Sequence, residues 1–417
     1  MLTRVAPDDV TENERSSALQ ALLRRAHLVA PADLGRVVAE EGRALGATHV
    51  GLYLVDYGQT TLVPLPGTDT AGAGAFPIHG TIAGRAFASS TSIELEAEGG
   101  PGRRLWLPLL DGTDRLGAME MTFAGLSEPL EGSMLAACER FAHLAAMLIV
   151  SKDAYSDDFK VLRRRAAMTI PSDLMRDLVP PLVFATDDLV LAGLLEPSYD
   201  NGGDALDYAL NAGVLHLAVF DAMGHGLAAA GVAAFALATY RNSRRLGHGL
   251  AETHAAIDAA VAAQYPTSRF VTALLAQLEV ASGALRWSSA GHPGPMLLRR
   301  GRVVKTLEVA PSPPLGLRLT DRPPAVGRES LEPGDLLLLY TDGLTEARRP
   351  GGDLFTVERL GEFIEREAAR GQPAPETLRQ LREAIIERGA GALRDDATAL
   401  LVEWRRGSER ALVPQTV

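Results

Sequence analysis

From Asp188 to Val402 the sequence is broken into short apolar runs of strand length, and this rhythm constrains the fold more than any other feature. The runs are Leu189 to Leu195, Val214 to Phe220, Phe270 to Val280, Ala284 to Ser289, Pro295 to Arg299, Val303 to Leu307, Asp335 to Tyr340 and Ala397 to Val402. Turn residues separate them, as they separate the strands of a packed sheet. Ala281-Ser282-Gly283 and Arg300-Gly301-Arg302 are short enough to close hairpins. Helical spacing is confined to separate blocks: Leu227 to Arg244, Ala251 to Gln264, Val357 to Ala369 and Pro375 to Arg388. Hairpin-linked strands with segregated helices predict an α+β domain on antiparallel sheets.

The N-terminal part reads differently. Leu19, Leu22, Leu23 and Ala26, then Leu34, Val37, Val38 and Leu45, predict two helices. Val50 to Val55, Thr61 to Pro64, Arg104 to Leu110 and Leu116 to Phe123 predict a small antiparallel sheet with helices on one face. Ala71-Gly72-Ala73-Gly74-Ala75 is too flexible for a strand and reads as a loop. Between Gly132 and Pro171 there is neither proline nor glycine, and Leu135, Cys138, Ala142, Ala145 and Ile149 suit one continuous helix. Such a helix would either pair with its copy in a homodimer or cap its own domain. The expected division is a first domain over 1–130, a connecting helix over 131–170, a second domain over 171–406 and a tail over 407–417.

A chain of 417 residues with 47% hydrophobic content is long enough for two such cores. Its net charge of −11 argues against general affinity for nucleic acid or an anionic membrane. The single cysteine, Cys138, excludes an intramolecular disulfide and reads as a small buried hydrophobe. No run is expected to reach the roughly 20 apolar residues that span a bilayer. The acidic N-terminus, with Asp8, Asp9, Glu12 and Glu14, lacks a signal-peptide pattern, so a cytoplasmic location is expected.

Carboxylates recur where the apolar runs end. Asp204 follows Asn201-Gly202-Gly203, Asp221 opens Asp221-Ala222-Met223-Gly224-His225-Gly226, Asp342 follows Tyr340-Thr341, and Asp395-Asp396 precedes Ala397-Thr398. Carboxylates converging from separate strands are what hard cations such as Mg²⁺ or Mn²⁺ require. Taken singly, each motif serves equally well as a turn or a cap. Asp204 and Asp221, separated by the turn Asn211-Ala212-Gly213, fit adjacent antiparallel strands.

Together with Ser289-Ala290-Gly291-His292 and Tyr340-Thr341-Asp342-Gly343-Leu344-Thr345-Glu346-Ala347, these motifs occur in the order seen in metal-dependent serine/threonine protein phosphatases. Residues 170 to 405 resemble the SpoIIE/RsbU-like branch of that family. The N-terminal part resembles a GAF sensory domain less specifically, through its element order and the strands around Leu105-Trp106-Leu107 and Leu116-Gly117-Ala118-Met119. The resemblance implies an antiparallel β-sandwich flanked by helices, with two Mn²⁺ or Mg²⁺ ions at one edge. It implies Asp221 as the bridging ligand, Asp204 and the Ala222 carbonyl on one ion, and Asp342 and Asp395 on the other. It also implies metal-activated water attacking phosphoserine or phosphothreonine, with Asp221 and Asp342 as catalytic residues. The implied substrate is a phosphorylated regulatory protein of the anti-sigma-factor-antagonist type.

Ala205-Leu206-Asp207-Tyr208 departs from the branch, which commonly shows an aromatic pair and then Asp after Gly-Gly-Asp. His225 reads either as a general acid or as a residue ordering its glycine turn. Thr272 and Glu346 are candidates for supporting the site. A non-catalytic sensor scaffold and a metal-dependent nuclease or nucleotide hydrolase are the rival functions. The full set of carboxylates argues against the first, and the acidic balance against the second. His49, His79 and His143 are too scattered to suggest a cofactor in the sensory domain.

Overall fold

The computed structural model describes residues 12–196, 202–265, 269–320, 322–346, 355–388, 395–405 and 412–413. The chain forms two compact units, Met1–Arg165 with Arg410–Val417, and Ala166–Glu409.

In the first unit, α1 (Glu12–Ala26) and α2 (Leu34–Arg43) precede β1 (His49–Val55), β2 (Thr61–Pro64) and β3 (Phe76–Pro77). Then come α3 (Ile82–Ser89), β4 (Ile93–Glu96), β5 (Gly102–Asp111), β6 (Asp114–Ala124), α4 (Gly132–Asp153) and α5 (Asp158–Arg163). The strands form one antiparallel sheet in the order β3-β2-β1-β6-β5-β4. Alternation along β1 sends Val50, Leu52 and Leu54 toward a core shared with α1, α2 and α4, while Tyr53 and Val55 join Ala83, Ala86 and Phe87 of α3. Helices therefore cover both faces, not one as expected. The missing signal was α3, whose short Ile82-Ala83-Gly84 start is capped by Thr81, with its hydroxyl oxygen accepting the Gly84 amide at 3.0 Å.

The continuous helix expected over 131–170 is also corrected: α4 ends at Asp153 and α5 begins at Asp158. Ser156 explains the break, because its hydroxyl accepts the Asp158 amide at 3.1 Å and donates to the Asp158 carboxylate at 2.6 Å. Such local side-chain bonds compete with helix continuation. By length and composition α4 is apolar enough to cross a membrane, contrary to the sequence expectation. Its Cys138, Phe141, Ala145 and Ile149 are instead buried in the unit's core, and it packs on β5 as a capping helix.

The second unit starts with α6 (Ile170–Leu178), β7 (Val183–Thr186), β8 (Leu189–Glu196), β9 (Asp204–Asn211) and β10 (Val214–Ala222). It continues with α7 (Leu227–Arg245), α8 (Leu250–Gln264), β11 (Val271–Glu279), β12 (Ala284–Ala290), β13 (Met296–Arg299), β14 (Arg302–Thr306) and β15 (Gly327–Ser330). It ends with β16 (Leu336–Tyr340), α9 (Asp342–Glu346), α10 (Val357–Ala369), α11 (Ala374–Arg388) and β17 (Ala397–Trp404). The strands make a five-stranded sheet, β15-β12-β11-β10-β9, and a six-stranded sheet, β14-β13-β16-β17-β8-β7. Neighbouring strands in both sheets run antiparallel. The β9–β10 turn places Ala212 and Gly213 at φ 47° and 81°, and the β13–β14 turn places Arg300 and Gly301 at 52° and 73°, the left-handed pair that matches hairpin twist.

The two sheets face each other across a core of Leu206, Leu217, Val219, Leu274, Trp287, Leu337, Leu339, Leu400 and Val402. A second core on the outer side of the five-stranded sheet packs Phe220, Ala218 and Leu275 against α6, α7 and α8. α11 covers β8 and β17 of the other sheet. This is the α+β domain on antiparallel sheets that the strand runs predict, in the helix-flanked sandwich that the resemblance implies.

Candidate metal and active site

The inner core of the sandwich ends in polar residues at one edge, and side-chain alternation puts them there. In β10 the inward positions run Leu215, Leu217, Val219 and then Asp221, and in β11 they run Leu278, Ala276, Leu274 and then Thr272. In β9 Leu206 gives way to Asp204; beyond β16, Leu339 gives way to Thr341; at β17, Leu400 gives way to Thr398 and then Asp396. Five inward columns thus change from apolar to polar at the same end.

Asp221 stands directly opposite Asp204 on β9 and opposite Thr272 on β11. Asp204 is almost wholly buried, at 2% exposure. Burial, then the charges of Asp221 and Asp396, hold its carboxyl well above the usual range, while the hydroxyls of Thr398 and Thr341 offset part of that rise. Thr341 Oγ1 donates to Asp204 Oδ2 at 2.8 Å. The Thr398 hydroxyl lies beside the same carboxylate without full hydrogen-bond geometry. Asp221 is pushed up to about 7, first by burial and then by Asp342, Asp395 and Asp396, with the Thr272 hydroxyl opposing.

Asp342 begins α9 directly after Thr341, and Asp395 precedes β17; both are exposed. The neighbouring Asp396 has a separate task. Its Oδ2 accepts the amides of Gly202 and Gly203 at 2.6 and 2.5 Å and that of Asp204 at 3.3 Å. Burial raises its pKa, and those three amides work against the rise. The backbone there leaves no room for side chains: a Cβ on Gly203 would sit 2.6 Å from the Ala222 carbonyl oxygen, and one on Gly343 would sit 1.8 Å from the Asp396 carbonyl oxygen.

Of the predicted residues, Asp221 thus faces Asp204 with Ala222 next in the chain, and Asp342 and Asp395 lie near enough for their charges to raise the Asp221 pKa. His225 is exposed, with its Cα and Cβ 3.2 Å from a Cβ built on Gly202, so it packs over the glycine turn. Glu346 is exposed at the end of α9. His292 is buried away from solvent, its Nδ1 3.0 Å from the Pro293 carbonyl. Asn201 lies outside the described residues. Sequence reasoning missed Thr341 and Thr398 and gave Asp396 no role. Their signal was positional: each occupies the inward parity of a leucine column.

The donors at this edge are all oxygens, the chemistry of a site for Mg²⁺ or Mn²⁺. Among the described residues no positive charge is seen to offset the carboxylates that raise one another's pKa, and the Gly203 cradle keeps the Ala222 carbonyl clear of side-chain atoms. Among the described residues no three His, Cys, Asp or Glu side chains gather closely enough to cage an ion by themselves. A magnesium-like ion, which keeps several waters and takes few carboxylates, suits this arrangement.

The C-terminal unit is thus a helix-flanked antiparallel sandwich with an acidic edge. Residues 211–405, in the C-terminal unit, match the family model of stage II sporulation protein E (SpoIIE). Protein IcfG from Synechocystis sp. is 24% identical over 136 residues, 33% of this chain and 21% of IcfG. The match thus spans only about a fifth of that curated relative. The RsbU and RsbW domains of Rv1364c from Mycobacterium tuberculosis are 28% identical, with 55% of this chain and 63% of theirs covered and a TM-score of 0.47. The SiaA-PP2C domain of Pseudomonas aeruginosa is 21% identical, with 56% and 94% covered and a TM-score of 0.48.

Proposed function

We propose that this protein is a Mn²⁺- or Mg²⁺-dependent phosphatase that hydrolyses phosphoserine or phosphothreonine on a regulatory protein. The observation that carries the reading is the pairing of Asp221 with Asp204 across β9 and β10, with Asp342 and Asp395 close enough to raise the Asp221 pKa. Asp204, Asp221, the Ala222 carbonyl, Asp342 and Asp395 would hold two cations. Bound there, the cations supply Lewis acidity toward water and toward the phosphoryl oxygens.

The chain's own residues supply position and access. Asp204 and Asp221 stand on paired strands; the Thr341 hydroxyl meets Asp204 from the facing sheet, and the Thr272 hydroxyl meets Asp221 from neighbouring β11. Asp342 and Asp395 are exposed at the surface. A phosphorylated side chain on another protein reaches such an edge without entering a deep pocket.

The motif order of the SpoIIE/RsbU-like branch supports a substrate of the anti-sigma-factor-antagonist type. The separate first unit, a helix-covered antiparallel sheet, supports a GAF-like sensor that sets the rate. Met147 and Val150 of α4 are 46% and 41% exposed, which supports pairing of two copies through that helix. Sedimentation of the wild type and of Met147→Glu tests the pairing, and an unchanged monomer in both would refute it.

The activity is tested by release of phosphate from p-nitrophenyl phosphate and a phosphoserine peptide with Mn²⁺, Mg²⁺ or EDTA. Cation-dependent release that Asp221→Asn abolishes is expected. Cation-independent release, or full activity in Asp221→Asn, would overturn the reading.

A further inference from the structure

We propose that Thr341 is a positioning residue that fixes the Asp204 carboxylate in the orientation cation binding needs; this inference rests on the phosphatase reading above. Thr341 Oγ1 accepts the Thr398 amide hydrogen at 2.9 Å and lies 2.8 Å from Asp204 Oδ2. A hydroxyl has a single hydrogen to give. With an amide already on its lone pair, that hydrogen goes to Asp204, and Oδ2 is committed as the acceptor.

Thr341 is itself held fast. Its side chain is fully buried at 0% exposure, and its own amide donates to the Thr398 carbonyl at 2.9 Å. It also joins the two layers: Asp204 begins β9 in the five-stranded sheet, while Thr341 follows β16 in the six-stranded sheet. The next residue is Asp342, so one hydroxyl sets the register between carboxylates that come from opposite sheets. Asp396, reaching from beside β17 to the Gly202 and Gly203 amides, makes the parallel hold on the backbone. Groups that orient a metal's ligands in this way commonly matter 10- to 100-fold for its affinity.

The test uses the full chain and compares Thr341→Val, which keeps the branched shape but loses the hydroxyl, with Thr341→Ser, which keeps the hydroxyl. Mn²⁺ binding is measured by calorimetry without substrate, and thermal melting is measured in EDTA. Thr341→Val should weaken Mn²⁺ binding about 10- to 100-fold and Thr341→Ser should stay within about threefold of the wild type. If Thr341→Val does not fold, Thr341→Ala carries the same expectation. A lower melting point with unchanged Mn²⁺ affinity would make Thr341 merely structural and overturn the proposal. Asp204→Asn separates the two levels of argument. Weak Mn²⁺ binding in Asp204→Asn but normal binding in Thr341→Val defeats the positioning role alone, while no Mn²⁺ binding by the wild type defeats the phosphatase reading and the positioning role with it.

Discussion

Asp221 and Asp204 are cross-strand partners on the inner face of the β9–β10 pair, where the sandwich core gives way to an acidic edge. Directly opposed like charges destabilise a strand pair, so this edge is a place where folding and cation binding oppose each other. Replacing one charge should therefore have two effects of opposite sign. Asp221→Asn should lower turnover by about a thousandfold, in the range lost when a key electrostatic group is removed. The same variant should melt higher than the wild type in EDTA, by about 3 °C for each kcal/mol of repulsion relieved. Phosphate release and melting curves on one preparation check both.

The pH dependence follows from the same pair. The folded-state pKa of Asp221 is raised from 3.8 to about 7, and that of Asp204 is raised as well. Carboxyls raised in this way stabilise the fold fully below their unfolded pKa, and that stability is lost as pH rises through the folded values. In EDTA the second unit should become less stable between about pH 4 and pH 7 through these groups. Saturating Mn²⁺ should raise the melting point more at pH 8 than at pH 5.5, where protons compete for the same oxygens. Equal Mn²⁺ stabilisation at both pH values would contradict the assignment of the carboxylates as ligands.

His292 gives the opposite slope. Burial pushes its imidazole down to about 4, with the Pro293 carbonyl opposing the fall. A histidine depressed from 6.5 stabilises the fold above its unfolded pKa, and that contribution is lost as pH falls toward 4. The loss is at most about 3 kcal/mol, since each tenfold weakening of proton binding corresponds to about 1.4 kcal/mol. The difference in stability between the wild type and His292→Gln, measured in EDTA, should therefore narrow from pH 7.5 to pH 5. A constant difference would mean that His292 is not held neutral.

The strand runs of the second unit were legible because its buried strands are short, apolar and punctuated by turns. The runs at Leu189, Val214, Phe270, Ala284 and Ala397 all became strands close to their predicted bounds. β15 was not legible: Gly327-Arg328-Glu329-Ser330 is a polar edge strand held by pairing with β12. Asp204, Asp221, Asp342 and Asp395 stood out because charge beside glycine or at the end of an apolar run is conspicuous. Thr341 and Thr398 did not, because threonine is an ordinary strand residue. Both come from the six-stranded sheet and Asp204 from the other, so only the packing of the two sheets shows that their hydroxyls meet at Asp204. The helical pattern weakens after Ser151, close to the end of α4 at Asp153, but no proline or glycine marks the break, which depends on the Ser156 hydroxyl.

Gly203→Ala tests the backbone side of the site. The added methyl would sit 2.6 Å from the Ala222 carbonyl oxygen and 3.2 Å from the Ala229 Cβ. The nearest obstacle is backbone within a paired strand, so it cannot swing aside as a flexible side chain would. The strand ends must separate, which moves Asp204 and the Ala222 carbonyl relative to each other. The variant should fold with a loss of about 1–3 kcal/mol, typical of an overpacked site. Mn²⁺ affinity and turnover should fall together. Loss of stability with normal Mn²⁺ affinity would show that the Ala222 carbonyl plays no part in holding the ion.

The division at Arg165 and Ala166 makes the last prediction a matter of where the cores lie. The inner and outer cores of the sandwich are formed by residues from Met175 to Trp404, with none from the first unit. A chain beginning at Ala166 should therefore fold cooperatively and keep the acidic edge intact. Circular dichroism and calorimetry should show a folded domain that binds Mn²⁺ with wild-type affinity. Its phosphate release should differ in rate from that of the full chain, because the proposed sensor acts on a site it does not build. A folded fragment that binds Mn²⁺ but releases no phosphate would mean that the first unit supplies part of the active machinery, and the picture of a separable catalytic domain would fail.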